Sequence, residues 1–271
     1  MSPELTTVVL MGGLLFLLAF GVEIAVAMGL IASVGLVFFL DKPLIQIAWS
    51  AWESLNSFTL LAMPLFIFMG SVFSGSGAVQ ALFGALDKWI GFLPGGLASV
   101  VIAANAVFGA ISGSSVAAAA TFSLIAYPEM EKRGYHPRLS IGSIAVGGTL
   151  SVLVPPSLIL IVYGSWENQS VARLFAAAMI PGLILSLLLL ITVIIWVKLN
   201  PALAPRPSRV SWKVRLLAIK QLLPWMAVVL TVMGSIFGGL MTPTEAAALG
   251  AVLSLAVAWG YGNLSYKIIK D

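Results

Sequence analysis

Ser112-Gly113-Ser114-Ser115 interrupts an apolar stretch with three hydroxyls around a glycine. In hydrocarbon, backbone released from a helix must find a partner in protein, water or an ion. Hydroxyls and open carbonyls are hard oxygen donors of the kind alkali cations accept, and the ends of half-helices add their dipoles. Fourteen of the nineteen residues 103–121 are Ala, Gly, Ser or Thr, so the arms on both sides are slim. Gly109 and Gly113 also form a GxxxG pair, which by itself marks a close helix–helix contact. Composition leaves both readings open. It also leaves open whether the arms are a re-entrant hairpin or two full spans.

A second stretch, Gly147 to Ser157 (GGTLSVLVPPS), sets two prolines inside one apolar segment. Pro155 and Pro156 remove two N–H donors and clash with the preceding turn, and the residue before a proline is pushed out of helical geometry. The spacing predicts a discontinuous helix rather than a plain kink, with carbonyls unpaired around Gly148 to Val154 and with Thr149, Ser151 and Ser157 nearby. No basic residue lies in 89–131 or 139–172. An anionic solute would therefore meet helix N-termini, hydroxyls and amides, including Asn105.

Elements able to hold such groups must themselves sit in lipid. The 271 residues are 60% hydrophobic and only 9% charged, too few charges to clothe a soluble globule. A soluble enzyme, a nucleic-acid binder and a disordered chain are excluded on that ground, and no dense Lys/Arg run exists to track phosphates. No cysteine is present, and His136 is the one histidine, which argues against thiolate, haem or His-cluster sites. No His/Asp/Glu cluster sits within the apolar segments, which disfavours a membrane enzyme.

Apolar segments run near 5–20, 22–40, 57–75, 92–111, 114–130, 139–165, 169–197, 218–239 and 243–262. Most are close to the roughly 20 residues a spanning helix needs. They are continuous rather than alternating, so the fold class is an all-α polytopic membrane protein and not a barrel. The start, Met-Ser-Pro-Glu, has no basic residue, which argues against a cleaved signal. If the chain starts outside and crosses at each segment, Lys88, Lys132, Arg133, Arg138, Lys198, Arg206, Arg209, Lys213, Arg215, Lys220, Lys267 and Lys270 share one side. Lys42 and Arg173 take the other. That bias predicts an outer N-terminus and a cytoplasmic C-terminus. Trp49, Trp52, Trp89, Trp166, Trp196, Trp212 and Trp259 lie near segment ends, as an aromatic belt requires.

Residues 42–56 read as a helix lying in the outer interface and 78–90 as its inner counterpart. The stretch 198–217, with Pro201, Pro205 and Pro207, reads as a basic cytoplasmic linker. The pattern VVLMGGLLFLLAFGVEIAVAMGL near the start resembles AVVLTVMGSIFGGLMTPTEAAALGA near the end, and the two copies enter from opposite sides, which suggests an inverted repeat. Glu245 follows Thr242 and Pro243 as a capping box, so it reads as a helix cap rather than a coupling acid. Glu23 has no such explanation and stays open between a functional acid and a group at the water boundary. His136 reads as solvated, Glu129 and Glu131 as surface partners of Lys132 and Arg133, and Pro64 as a bend in its helix. Asn168-Gln-Ser and Asn263-Leu-Ser fit a glycosylation triplet that often arises by chance.

ISGSSVA (Ile111–Ala117), PEMEKRGY (Pro128–Tyr135), GGTLSVLVPPS and TPTEAAALGA (Thr242–Ala251) together resemble the large membrane subunit of TRAP transporters, the tripartite ATP-independent periplasmic transporters. The resemblance runs along essentially the whole chain. It implies an elevator-type secondary transporter in a bacterial or archaeal inner membrane, driven by sodium and needing no other cofactor. A periplasmic solute-binding protein would deliver an organic acid, and a small membrane subunit would complete the permease within membrane lipid. By that likeness Ser112–Ser115 is a hairpin tip and Gly147–Ser157 the facing broken helix, together clasping a sodium ion beside the solute. Sodium ligands are expected among Ser112, Ser114, Ser115, Thr149 and Ser151, with Asn105, Gly113, Gly148, Pro155, Pro156 and Ser157 completing the site. The implied organisation is scaffold-type helices over 1–77, a transport element over 78–165 and a long membrane helix over 166–197. The linker over 198–217 and the first two helices of a second repeat over 218–271 follow. The family usually continues through a full second repeat, so the alternative is a truncated or split product that only assembles with partners. The family often has Gly where Ser151 stands, and Pro-Val near Glu23-Ile24.

Overall fold

The computed structural model describes residues 2–43, 45–205 and 210–261. Arg206, Pro207, Arg209, the Asn263 triplet, Lys267 and Lys270 lie outside the described residues. The chain divides into two compact units, Met1–Ser57 and Phe58–Asp271. Every regular element among the described residues is helical.

In the first unit, α1 (Pro3–Ala19) starts at Ser2, whose hydroxyl accepts the Leu5 N–H at 3.4 Å. Gly21, at φ 79°, turns the chain into α2 (Ile24–Val34), which continues as one wide turn over Gly35–Phe39. The two helices run antiparallel. A Cβ on Gly13 would lie 2.9 Å from Ile31 Cδ1, and one on Gly35 would lie 3.6 Å from Leu10. Glu23 is exposed and makes no capping bond at the start of α2. The third helix, α3 (Ile45–Leu55), presents Trp49 and Trp52 largely exposed.

The second unit opens with one tight turn, Thr59–Leu61, leading into α4 (Ala62–Gly75). Pro64 is the third residue of α4, close behind the Thr59–Leu61 turn. Next come α5 (Ala78–Ile90), α6 (Leu97–Ser112), α7 (Ser115–Lys132), α8 (Pro137–Leu153) and α9 (Leu158–Trp166). The 29-residue α10 (Val171–Leu199), α11 (Trp212–Phe237) and α12 (Pro243–Gly260) complete it.

Four helical stretches are long and apolar enough to cross a membrane: Pro137–Trp166 with its break, Val171–Leu199, Trp212–Phe237 and Pro243–Gly260. Pro3–Ala19, Ile24–Phe39 and Leu97–Ser112 are apolar but shorter. That is fewer full spans than nine hydropathic segments suggested. Hydropathy cannot see the Pro94-Gly95-Gly96 turn, where both glycines take positive φ and delay α6 from residue 92 to Leu97. Nor is residue 212–217 linker: past Pro207 no proline blocks the helix, and Trp-Lys-Val-Arg-Leu-Leu forms the first turns of α11.

Within the largely aliphatic core, aromatic rings meet in tilted and edge-on pairs. The Phe73 and Trp225 rings lie 4.5 Å apart, Phe108 and Trp225 6.2 Å, and Phe108 and Phe122 5.9 Å. Helix α5 packs on α6 and α11, with Ala78, Val79, Leu82, Phe83 and Ala85 buried. The apolar face assigned from sequence to the inner interface is therefore covered by protein. Trp225 Nε1 donates to Ala78 O at 3.2 Å and Trp89 Nε1 to Arg215 O at 3.0 Å, which fixes α5 and α11 as antiparallel neighbours.

The root of the α6–α7 hairpin is tied together. The Tyr135 hydroxyl accepts the Leu97 N–H at 2.9 Å, satisfying a donor that the start of α6 leaves free. Burial pushes the Tyr135 phenol up, with this hydrogen bond and the Arg133 charge opposing. Arg133 reaches Asp87 of α5 at 3.0 Å and Glu129 of its own helix at 2.9 Å. His136 is exposed; its Nδ1 accepts the Arg138 N–H and its own N–H donates to Leu203 O at 2.9 Å.

Candidate functional site

Two interruptions meet. Helix α6 stops at Ser112, Gly113 takes the left-handed conformation at φ 59°, and Ser114 caps α7 by accepting the Ala117 N–H at 3.3 Å. The two arms are thus an antiparallel helical hairpin with a two-residue turn. Neither arm is among the stretches long and apolar enough to cross. Opposite, α8 ends at Leu153 and α9 begins at Leu158, with the Pro155–Pro156 peptide cis. The Leu158 N–H donates to Gly113 O at 3.4 Å. A Cβ on Gly113 would lie 2.9 Å from Pro156 O and 3.1 Å from Leu158 N.

Glycines let the walls close. A Cβ on Gly109 would lie 2.5 Å from Ser151 Cα, and one on Gly148 3.0 Å from Ala119 Cβ and 3.3 Å from Ser115 O. Gly109 permits the close α6–α8 contact, and Gly113 makes the turn. Gly70 in α4 also meets the hairpin tip, since its Cβ would lie 3.0 Å from Ser112 Cα, and it was not among the expected site residues. An isolated glycine in an apolar helix was the available signal.

The break falls one turn later than expected. Gly147 and Gly148 stay helical, and their missing side chains leave room for Asn105 and Ala119 respectively. The carbonyls without a donor four residues on are those of Ser151 and Val152, because Pro155 and Pro156 have no N–H.

Polar atoms sort into two groups. Ser112 Oγ and Ser157 Oγ are buried at the junction and have no hydrogen-bond partner. Ser157 precedes α9 yet leaves its hydroxyl out of any cap. The rest stand apart. Thr149 is exposed, and its Oγ1 donates to Val146 O at 2.7 Å. The Ser151 hydroxyl is committed to Asn105 O at 3.1 Å. Asn105 lies seven residues before Ser112 on the same face of α6, about 10 Å away along the axis. Its Nδ2 donates to Val101 O at 2.9 Å, and its Oδ1 is buried without a partner. The structure therefore brings Gly113 against Pro156, with Ser112, Ser114, Pro155 and Ser157 adjoining them in the chain, and sets Gly148 against Ser115 about two turns before the prolines. It separates Asn105 and Thr149 from Gly113 and Pro156.

Among the described residues no group of three His, Cys, Asp or Glu side chains could hold a metal ion. A cation at the junction would meet neutral oxygens only. That donor set suits a monovalent alkali ion, whereas calcium sites draw on carboxylates. The C-terminal ends of α6 and α8 favour positive charge, and the N-terminal ends of α7 and α9 favour negative charge.

Glu245 is a cap. Thr242 Oγ1 accepts the Glu245 N–H at 3.3 Å, and the Thr242 N–H donates to Glu245 Oε2 at 2.8 Å. Thr242→Ala is expected to cost about 1 kcal/mol of stability, read as a lowered Tm.

The sequence profile of the family described as "Tripartite ATP-independent periplasmic transporter, DctM component" matches residues 11–270. The C4-dicarboxylate TRAP transporter large permease protein DctM of Vibrio cholerae is 35% identical over 88% of this chain and 52% of its own length. The isethionate TRAP transporter permease protein DctMQ of Oleidesulfovibrio alaskensis is 34% identical over 92% of this chain and 39% of its own length. The 2,3-diketo-L-gulonate TRAP transporter large permease protein YiaN of Escherichia coli is 31% identical over 94% and 59%. The chain spans about half the length of the curated relatives it matches.

Proposed function

The chain belongs to the DctM family of tripartite ATP-independent periplasmic transporters, and from that premise we propose that it serves as membrane permease in sodium-coupled secondary import of an organic acid. The observation that carries the sodium reading is the pair of buried, unpartnered hydroxyls, Ser112 Oγ and Ser157 Oγ, where two interrupted helices meet. Burying a hydroxyl without a partner costs about 1–3 kcal/mol, and a bound ion would offset that cost. The solute carboxylate would sit at the α7 and α9 N-termini, because no basic side chain is on these elements near the junction.

In this reading the hairpin and the broken helix α8–α9 travel together as the moving element of an elevator. A periplasmic binding protein delivers the solute and a small membrane subunit completes the permease in the cell membrane, with the N-terminus outside. An inverted repeat draws support from the ends of α1 and α11. Each is followed by a glycine at positive φ, Gly21 at 79° and Gly239 at 68°, before the next helix starts.

The test is uptake of a labelled C4-dicarboxylate into proteoliposomes holding the chain, the small subunit and the binding protein. Uptake should follow an inward sodium gradient and stop when potassium replaces sodium. Uptake indifferent to sodium would overturn the coupling. Assembly of the three components without any uptake would overturn the permease reading and leave the chain a scaffold for its partners.

A further inference from the structure

At one end of the α5–α11 pair sits an arginine without an acid. The Arg215 guanidinium carbon lies 4.7 Å from the Phe92 ring centre and 5.2 Å from the Trp212 ring centre. Its Nε is buried and has no hydrogen-bond partner. Trp89 packs edge-on to Trp212 at 6.4 Å. The ion pairs found among the described residues join Arg133 to Asp87 and Glu129, so no described carboxylate neutralises Arg215. Lys88 and Lys213 neighbour these residues in sequence and add charge of the same sign.

The same two helix faces continue as an apolar groove of about 620 Å³. On α11, Arg215 is seven residues before Leu222 and eleven before Met226, so all three share one face, as does Met233. On α5, Leu82 and Leu86 of the groove share a face with Trp89. The stripe from Leu222 to Met233 rises about 16 Å along α11, close to the roughly 15 Å hydrocarbon depth of one leaflet. The groove extends to Pro155 at the helix break. An unpaired cation between aromatic rings, at the mouth of a slot one leaflet deep, fits a molecule with an anionic head and an apolar tail.

We propose that this groove is a phospholipid site, with the phosphate at Arg215 and one acyl chain lying along α11 as far as Pro155. A tail in this position packs directly against Val154 and Pro155 at the break between α8 and α9, so occupancy braces that break.

The test is native mass spectrometry of the purified chain, titrated with phosphatidylglycerol, phosphatidylcholine or inorganic phosphate. Phosphatidylglycerol should be retained on the unmodified protein in preference to phosphatidylcholine, and inorganic phosphate should not displace it. Arg215→Gln should weaken retention about fivefold, the loss of one interfacial cation, and Arg215→Lys should restore most of it. Ala110→Phe, which fills the groove while leaving Arg215 intact, should also lower retention. Equal retention of both lipids by the unmodified protein would overturn the proposal. So would unchanged retention in Arg215→Gln, or displacement by inorganic phosphate. A photoreactive residue in place of Met226 should label lipid. Labelling of polypeptide instead would make the groove a protein interface and overturn the proposal as well.

Discussion

Ser112→Ala and Ser157→Ala are expected to leave the protein as stable as before or slightly more so, while sodium affinity falls about tenfold for each. The two effects have opposite signs because the hydroxyls are unpartnered. Each Oγ is buried at the junction with no donor or acceptor in reach, a state that costs about 1–3 kcal/mol. Removing the oxygen relieves that cost and leaves a void smaller than a methyl group. A hydroxyl facing a bound ion contributes on the order of 1.5–3 kcal/mol, as contacts to charged groups do, and 1.4 kcal/mol is a factor of ten. Tm in detergent, with and without sodium, reads both. The unmodified protein should gain Tm on adding sodium, and the variants should gain less from a higher baseline. A Tm that drops by several degrees while sodium dependence persists would make these serines packing groups.

Gly113→Val should abolish uptake and lower stability by about 2–4 kcal/mol, through two independent causes. At φ 59° a β-branched residue sits in the left-handed region, which costs roughly 1–2 kcal/mol or more. Its Cβ would also stand 2.9 Å from Pro156 O, a backbone atom that cannot swing aside. Gly113→Asn separates the two causes, since asparagine tolerates the left-handed region but meets the same carbonyl. Gly84 is the control: a Cβ there meets nothing within 4 Å. Gly84→Ala in the interior of α5 should raise stability by about 0.5–1 kcal/mol and leave uptake unchanged. If Gly113→Val were as harmless, the tip and the broken helix would not be in contact.

Chain breaks were the legible part of this molecule. Pro155-Pro156 and the Ser-Gly-Ser-Ser run each mark a place where a helix cannot continue, and the structure interrupts helices at both. Their approach to one another was legible only through small residues, Gly109 and Gly148, whose missing side chains admit Ser151 and the α7 backbone. Side-chain direction was not legible. Thr149 and Ser151 are two residues apart, yet one faces outward and the other is buried against α6, because a helix turns about 200° between them. Asn105 suited the site by residue type, and its spacing to Ser112 already implied two turns of separation. Window hydropathy failed where polarity and helicity disagree. The charged start of α11 is helical, and the apolar Phe92-Leu93 before the glycine turn is not.

Tyr135 has a consequence at the far end of the hairpin. By joining the end of one arm to the Leu97 amide at the start of the other, it prevents either arm from sliding a turn past its neighbour. The 16 residues of α6 then act as a strut about 24 Å long, anchored at its foot. The register between Gly113 and Pro156 is consequently set from the opposite end of the hairpin, so a fault at the anchor would misalign the tip although nothing at the tip had changed.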